Sequence, residues 1–306
     1  MKKAKLLLQE IEAGINADGG ATFRQALQIL LPKMADAYEG AQPPFRKHLG
    51  ASLIGRECDR ELWYSFRWAF KKEISPRLYR LFNRGHLEEA RFLSLLLMVG
   101  LQLWYETEDG GQFRFSDVYG HFGSALDGVA VGVPDVFDQV PVYTEFKTSS
   151  AKIYEKIKTN GVQKEKPEHY AQMQVCMYKM DLEAGLYMVV NKDNDDIHAE
   201  IIEKENQVAE YYLHRAHNII FSTMAPPRIN NSPGWYKCKF CDAKDICHHG
   251  VAPEQNCRTC THSFPTTEST SDKGKWGCAL GFTDVVNSEQ AFTGCKYFEY
   301  NRGLFN

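Results

Sequence analysis

The sequence predicts an α/β protein: a mixed β-sheet flanked by helices, with a helical N-terminal region and a cysteine-rich C-terminal region. Three observations point there. Helical and strand patterns follow one another through the middle of the chain. The 306 residues are 43% hydrophobic and 25% charged, enough apolar material for one large domain with an appendage, or for two domains. Seven of the nine cysteines fall in the last 69 residues, the clustering expected of metal ligation rather than of a disulfide-stapled secreted fold. The same composition excludes disordered and fibrous classes.

Residues 1–48 read as helices, with Phe23, Leu27, Leu30, Leu31 and Met34 at near-helical spacing and a break at Pro32. Leu53 to Phe70 is a helical stretch rich in Arg and Trp. Leu78 to Val99 reads as a long amphipathic helix carrying RGHLEEARFLSLLL. Strands follow in LQLWYETE, GQFRFSDVYGHF, GSALDGVAVG and VPVYTEFK, which alternate or carry β-branched and aromatic residues between Gly and Pro. A lysine-rich connection (Lys152 to Lys166) leads to a helix, Glu168 to Met180. AGLYMVVNKD and DIHAEIIEKE read as strands, Tyr211 to Thr223 as a helix, and Pro226-Pro227 as the start of a linker. The expected segments are 1–75, a helical region; 76–225, the core; 226–250, a first cysteine segment; and 251–306, a second cysteine module.

No apolar run approaches the ~20 residues of a bilayer span; the best, Leu95 to Trp104, is short and contains Gln102. The N-terminal MKKAKLLLQEIEAG starts like a signal peptide, but Glu10 and Glu12 interrupt it. A soluble intracellular protein with no membrane partner is expected. Net charge is −3, so the whole chain is not a polycation, yet Arg46 to Arg91 holds eleven Lys/Arg against six Asp/Glu. That stretch is either a phosphate-contacting surface or a solvated helix face.

The cysteines form two sets. Cys238, Cys241 and Cys247 (CKFCDAKDIC) offer three thiolates where a tetrahedral site wants four. His248 or His249 could complete the set locally, or Cys58 from far upstream. Cys257, Cys260, Cys278 and Cys295 supply four alone, around a Thr/Ser/Lys/Gly stretch that packs poorly without a staple, and point to structural Zn2+. His262 is a weaker substitute ligand there. Cys176, between Val175 and Met177, reads as a small core hydrophobe. No thioredoxin-like βαβ pattern accompanies the CxxC pairs, which argues against thiol redox chemistry.

Glu145-Phe146-Lys147 lies on a predicted strand whose period of two puts Glu145 and Lys147 on one face. A carboxylate and a lysine beside a second acid suit metal-assisted phosphodiester hydrolysis: carboxylates hold a divalent cation, and the lysine orients water or steadies phosphate charge. Asp127, in GSALDG, is expected beside Glu145 through a hairpin turning near Val136. Asp135, in Pro134-Asp135, falls in that turn and is a decoy. Gly85-x3-Glu89 supplies another acid on the long helix, with His86 and Glu88 as competitors. Tyr170, Gln174 and Tyr178 recur at helical spacing on one helix face.

Together these residues resemble the PD-(D/E)xK nuclease superfamily, over about Leu81 to Asp193. Gly85-x3-Glu89, GSALDG, TEFKTS and HYAQMQVCMY are similar to segments of the phage lambda exonuclease and RecB-type branches. The resemblance implies a restriction-endonuclease-like core. Cys58 in GRECDRELWY before the core, with Cys238, Cys241 and Cys247 after it, resembles the iron–sulfur nucleases, including AddB and the CRISPR-adaptation nucleases. This implies a 4Fe–4S cluster held by Cys58, Cys238, Cys241 and Cys247. Residue by residue, Asp127 and Glu145 would bind Mg2+ or Mn2+ with the Phe146 carbonyl, and Lys147 would be the catalytic lysine. Glu89 or His86 would complete the metal shell, while Gln174 and Tyr178 would position substrate or the site. The second four-cysteine set lies outside the common nuclease pattern and reads as an added zinc module.

The function so implied is a metal-dependent DNA exonuclease acting on linear or single-stranded ends in recombination or repair. Its alternative is a catalytically inactive nuclease-fold protein that binds or scaffolds DNA. The resemblance further implies a phage origin, the cytoplasm of a bacterial host, a strand-annealing recombination protein as partner, and room for a homo-oligomer.

Overall fold

A computed structural model describes residues 2–34, 37–38, 45–137, 140–268 and 273–305. In chain order, β1 (Lys2–Lys3) precedes α1 (Lys5–Asp18) and α2 (Ala21–Leu30). β2 (Leu49–Gly50), α3 (Ala51–Ile54) and α4 (Asp59–Phe66) lead to α5 (Pro76–Met98). The strands β3 (Gln102–Trp104), β4 (Arg114–Asp117), β5 (Phe122–Ala125), β6 (Gly128–Val131) and β7 (Val142–Ser149) come next. Then follow α6 (Ala151–Asn160), α7 (Val162–Glu165), α8 (Pro167–Met180), β8 (Ala184–Asn191), β9 (Ile197–Glu203) and α9 (Asn206–Phe221). The C-terminal part holds α10 (Tyr236–Lys239), α11 (Lys244–His249), β10 (Ser263–Pro265), β11 (Trp276–Cys278) and α12 (Thr283–Val286). Among the described residues no helix is long and apolar enough to cross a membrane.

The residues cluster into two compact units, each discontinuous in sequence. One combines Met1–Ala41, Ile74–Arg114 and Ala125–Ala209; the other combines Gln42–Glu73, Phe115–Ser124 and Glu210–Asn306. The segments expected from the sequence were linear. Here the N-terminal stretch divides, with 1–41 in one unit and 42–73 in the other.

The first unit is built on a mixed sheet in the order β1-β9-β8-β7-β6-β3. β7 and β8 are parallel from Val142↔Ala184 to Ser149↔Asn191, and the other pairings are antiparallel. A parallel neighbour needs a long crossover, and α6, α7 and α8 supply it. The lysine-rich stretch read as a connection is therefore helical. Its charges face water while Tyr154, Ile157 and Val162 are buried. β8 is buried at every position, which is why it reads as an unbroken apolar run.

Alternation sorts the central strand. Val142 and Phe146 join a core with Leu7, Ile11, Phe92, Leu96 and Leu186, and Phe146 stacks on Phe92 of α5 at 5.1 Å between ring centroids. Tyr143 and Glu145 alternate to the α8 side, where Gln172 meets Glu145. α5 starts cleanly because the Ser75 side chain accepts a hydrogen bond from the Leu78 N–H at 3.3 Å and Pro76 follows it. Gly185 admits α8 close to the sheet, since a Cβ there would stand 2.7 Å from Met173 Cε.

Asp135 lies in a turn, as the sequence indicates, and its carboxylate accepts from the N–H groups of Leu6 and Leu7 at 3.2 and 2.9 Å. It thus satisfies orphan donors at the start of α1. Asp135→Ala should cost about 1 kcal/mol, the usual value of a lost cap. Urea unfolding of the variant beside the unaltered protein checks this.

The second unit holds a small sheet, β2-β5-β4, and the β10–β11 hairpin. Its buried aromatic residues include Trp63, Tyr64, Phe66, Trp68, Phe122 and Trp276. The single expected strand GSALDGVAVG is two strands: β5 belongs to this small sheet and β6 to the large one, parted by a bend at Asp127.

Candidate active site and thiol clusters

Asp127 sits at the bend immediately before β6. The β6–β7 pairing, Gly128↔Thr144, sets it beside Glu145. Gly128 makes that close approach practicable, because a Cβ would meet Thr144 Oγ1 at 3.0 Å and the Trp104 carbonyl oxygen at 3.2 Å. Asp127 Oδ2 accepts the Phe146 N–H at 2.8 Å, fixing the carboxylate to the strand that carries Glu145 and Lys147. α5 passes over these residues. The outcome is a cavity of about 420 Å³ walled by Gly85, His86, Glu89, Asp127, Phe146 and Lys147, with Thr148 and Lys192 also on its wall. Gly85 leaves open space where a side chain would stand.

Glu145 is fully buried, at 0% exposure. Its Oε2 accepts from the Tyr143 hydroxyl and from Gln172 Nε2, the latter at 3.1 Å. Its Oε1 forms an ion pair with the Lys147 ammonium. Each oxygen is thereby held from a different side.

The electrostatics follow from crowding acids in a small dry space. Burial, then the neighbouring Asp127 charge and a hydrogen bond with it, push Glu89 up to about 9, with Lys147 opposing. Burial pushes Glu145 up to about 7, with Lys147 opposing and Asp127 adding. For Lys147, burial disfavours the charge, but the carboxylates of Glu145, Asp127 and Glu89 outweigh it and raise its pKa. Lys147 is therefore cationic throughout the working range, and Glu89 holds a proton at neutral pH in the metal-free protein.

Three carboxylates and the Phe146 carbonyl are hard oxygen donors, the chemistry that suits Mg2+ or Mn2+. The crowding of Glu89 against Asp127 is a feature a divalent cation would relieve. Among the described residues no group of three or more His, Cys, Asp or Glu side chains stands, as placed, where it could hold a metal ion. Lys147 holds one oxygen of Glu145, and the Phe146 N–H holds one of Asp127.

No family model matches the chain, and no curated protein does. Among solved structures, one titled "Crystal structure of SSO0001" compares at a TM-score of 0.42 and 14% identity, covering 73% of this chain and 95% of that one. An alkaline exonuclease, LHK-Exo from Laribacter hongkongensis, compares at 0.39 and 20% identity, covering 56% of this chain and 86% of that one. LHK-Exo in complex with dAMP gives 0.39 and 17% over the same shares. Likeness at this level is loose, and the site stands on its own geometry.

Not every sequence candidate reaches the cavity. His86 and Glu89 both line it, whereas Glu88, also on its wall, is paired with Arg91 at 3.1 Å. Gln174 is turned away: its Nε2 donates to the Glu203 carbonyl at 2.8 Å, and its Oε1 accepts the Glu205 N–H at 2.6 Å. Tyr170, at the head of the same stripe, also bonds Glu205. Tyr178 is half-buried and off the cavity wall. The face expected to meet the site instead pins the end of β9 to the start of α9. Two residues along a helix is a rotation of ~200°, so Gln172 points where Gln174 does not. α8 is buried from Tyr170 to Met177, and an all-round buried helix offers no polarity to tell its faces apart. Gln172→Ala, which removes a partner of Glu145, should lower Mg2+ or Mn2+ affinity by roughly tenfold if Glu145 ligates the ion, and Gln174→Ala should chiefly lower stability. Metal titration and thermal melts separate the two.

Sequence reasoning also passed over Tyr143, Thr148, His169 and Lys192. Burial, then Lys147 and Lys166, drive the His169 pKa well below its ordinary value, and its Nδ1 lies 3.0 Å from the Tyr187 hydroxyl. Lys192 could have been found from the parallel β7–β8 pair, whose C-terminal ends lie side by side.

The raised carboxylates carry a pH consequence. Between the ordinary value of 4.5 and the folded values near 7 and 9, the native protein binds protons that the unfolded chain has released. Native stability therefore falls as pH rises through that window. Lys147, whose raised pKa lies above the window, does not change the sign. In chelator, the melting temperature should drop from pH 6 to pH 8.5; Mg2+ should restore more of it at pH 8.5; Glu89→Gln should flatten the slope. A melting temperature that does not change with pH would contradict the arrangement.

Both cysteine sets converge within the second unit. Cys58, Cys238, Cys241 and Cys247 line one small void with Arg60 and Tyr64. Cys257, Cys260, Cys278 and Cys295 line another. Their sulfur donors fit a thiolate-ligated group, though neither set is closed into a shell. Burial and then Glu61 push Cys241 up to about 12, and burial and then Cys295, Cys260 and Cys278 push Cys257 up to about 11. Redox-active thiols show the opposite shift. Cys176 is buried in α8 and lines neither void.

Proposed function

We propose that the chain is a metal-dependent nuclease that hydrolyses phosphodiester bonds at DNA ends. The observation that carries this reading is the convergence of Glu89, Asp127 and Lys147 on one cavity of about 420 Å³, with Glu145 buried behind its wall and ion-paired to Lys147. Asp127, Glu145, the Phe146 carbonyl and Glu89 or His86 would hold Mg2+ or Mn2+, which when bound lowers the pKa of a coordinated water and offsets charge on the phosphate. Gln172 and Tyr143 orient Glu145 through its Oε2. Lys147, a fixed cation beside Glu145, lies where it can direct a water toward phosphorus and steady the negative charge that builds on the phosphate oxygens. Glu89, if it serves as a ligand, would release its proton to solvent. Thr148 and Lys192 on the cavity wall are placed to contact the substrate backbone.

The Cys58, Cys238, Cys241 and Cys247 set belongs to the same proposal as the ligands of a 4Fe–4S cluster. Its support is the meeting of one early and three late cysteines around a single void. Linear and circular DNA, double- and single-stranded, incubated with anaerobically purified protein and Mg2+ or Mn2+ test the activity. Release of nucleotides from linear DNA is the expected result. Binding without cleavage under every metal would overturn it in favour of a non-catalytic DNA-binding role.

A further inference from the structure

The second four-cysteine set is not used by the proposed hydrolysis, and its surroundings contain an unusual charge problem. Arg67 and Arg258 are buried, at 2% and 4% exposure. Neither has a carboxylate partner among the described residues; their Nη atoms donate only to backbone carbonyls, of Ser263 and Ser222 for Arg67 and of Phe66 and Lys47 for Arg258. The Nε of each has no partner at all. Their planes lie against aromatic rings: Arg258 stands 3.8 Å from the Trp68 centroid and 4.7 Å from that of Trp276, and Arg67 stands 5.2 Å from Trp276. Aromatic faces stabilise a cation but carry no net charge. Two unpaired buried cations are a large penalty unless an anion lies near.

Chain order joins these groups to the second thiol set. Arg258 is the residue after Cys257 in the Cys257–Cys260 knuckle, and Trp276 is two residues before Cys278 on β11. Asn256 caps the knuckle turn and also donates to the Trp68 carbonyl at 2.8 Å. Each half of the thiol set is therefore joined by a few bonds to one wall of the aromatic cage. We propose that Cys257, Cys260, Cys278 and Cys295 bind one zinc ion as a tetrathiolate whose net negative charge balances Arg67 and Arg258, clamping Arg258 between Trp68 and Trp276. Binding releases the four thiol protons, so Zn2+ and four thiolates carry a formal charge of −2, equal and opposite to the two guanidinium groups. The thiol side chains must draw together to close the shell. The site then fastens the knuckle to the 45–70 stretch that also carries Cys58.

This inference does not depend on hydrolysis and is tested on the full-length protein. Wild type should keep about one more zinc per chain than Cys278→Ser after chelation of loose metal; equal zinc contents would overturn the site. Should Cys278→Ser not fold, wild type refilled with Co2+ decides instead, by the intense visible bands of a tetrahedral thiolate complex or by their absence. The clamp is tested by Arg258→Met. Zinc should raise the melting temperature of wild type more than that of Arg258→Met, and the zinc-stripped variant should be at least as stable as stripped wild type. An equal zinc-dependent shift in both proteins would overturn the charge coupling.

Discussion

Lys147→Ala is expected to lower DNA hydrolysis by a factor on the order of 10³, the scale of losing a preorganised group that stabilises developing charge. The arginines on that part of α5 are already engaged: Arg84 donates its Nη2 to the Lys192 carbonyl at 2.8 Å. Arg91 is engaged with Glu88 and Asp195. Removing Lys147 also strips the partner from Glu145 Oε1 in a fully buried position. The carboxyl should then hold its proton more tightly, because the group opposing its upward shift is gone. Activity of the variant is thus expected to recover slightly at higher pH without reaching wild type. Turnover across pH 6–9, beside Mg2+-dependent melting to show an intact fold, measures both effects. Full activity in Lys147→Ala would exclude the proposed chemistry at this cavity.

Cys58→Ser should remove the visible absorbance and the iron of anaerobically purified protein and lower the melting temperature by roughly 10 °C. The estimate treats the cluster as a tie between distant stretches of chain. Losing such a tie costs about 2–5 kcal/mol, and each kcal/mol moves the midpoint by roughly 2–4 °C in a unit of this size. Cys58 precedes α4, whose Arg60 and Tyr64 line the same void and whose Tyr64 hydroxyl donates to the Leu304 carbonyl at 2.8 Å. Loosening Cys58 should therefore be felt as far as the C-terminal residues. Cys176→Ala serves as the contrast: a buried thiol of α8, its loss should leave iron content unchanged. If Cys58→Ser kept its iron, the proposed ligand set would be wrong.

Much of the candidate site was legible because it obeys local rules. The alternation in VPVYTEFK places Glu145 and Lys147 on one strand face, and the Pro-Asp turn after β6 carries the chain back so that Asp127 meets Glu145. The amphipathic pattern from Leu78 to Val99 marks α5, and with it Glu89. The errors arose where local rules are silent. The stripe Tyr170, Gln174, Tyr178 has regular spacing, but spacing gives only relative directions around a helix. The side facing Glu145 was chosen by the packing of α8 on Gly185, and it is the side of Gln172. The lysine-rich stretch looked like a loop because its buried positions, Tyr154, Ile157 and Val162, are few among charges.

The sequence by itself determined which residues could do chemistry and which neighbours along the chain would share a strand, a turn or a helix. It determined four thiols in one set, three in the other with the fourth ligand open between Cys58 and His248 or His249, and a carboxylate–lysine pair. Only the tertiary structure decided what those residues face. It put 42–73 with the C-terminal residues rather than with the helices before them, gathered Cys58 with its distant partners, and buried Arg67 and Arg258 together without an acid. Spacing along a chain is set by covalent geometry and short-range hydrogen bonds, which the residues carry with them. Partners across the fold are set by which apolar surfaces exclude water together, and that choice belongs to the whole chain at once.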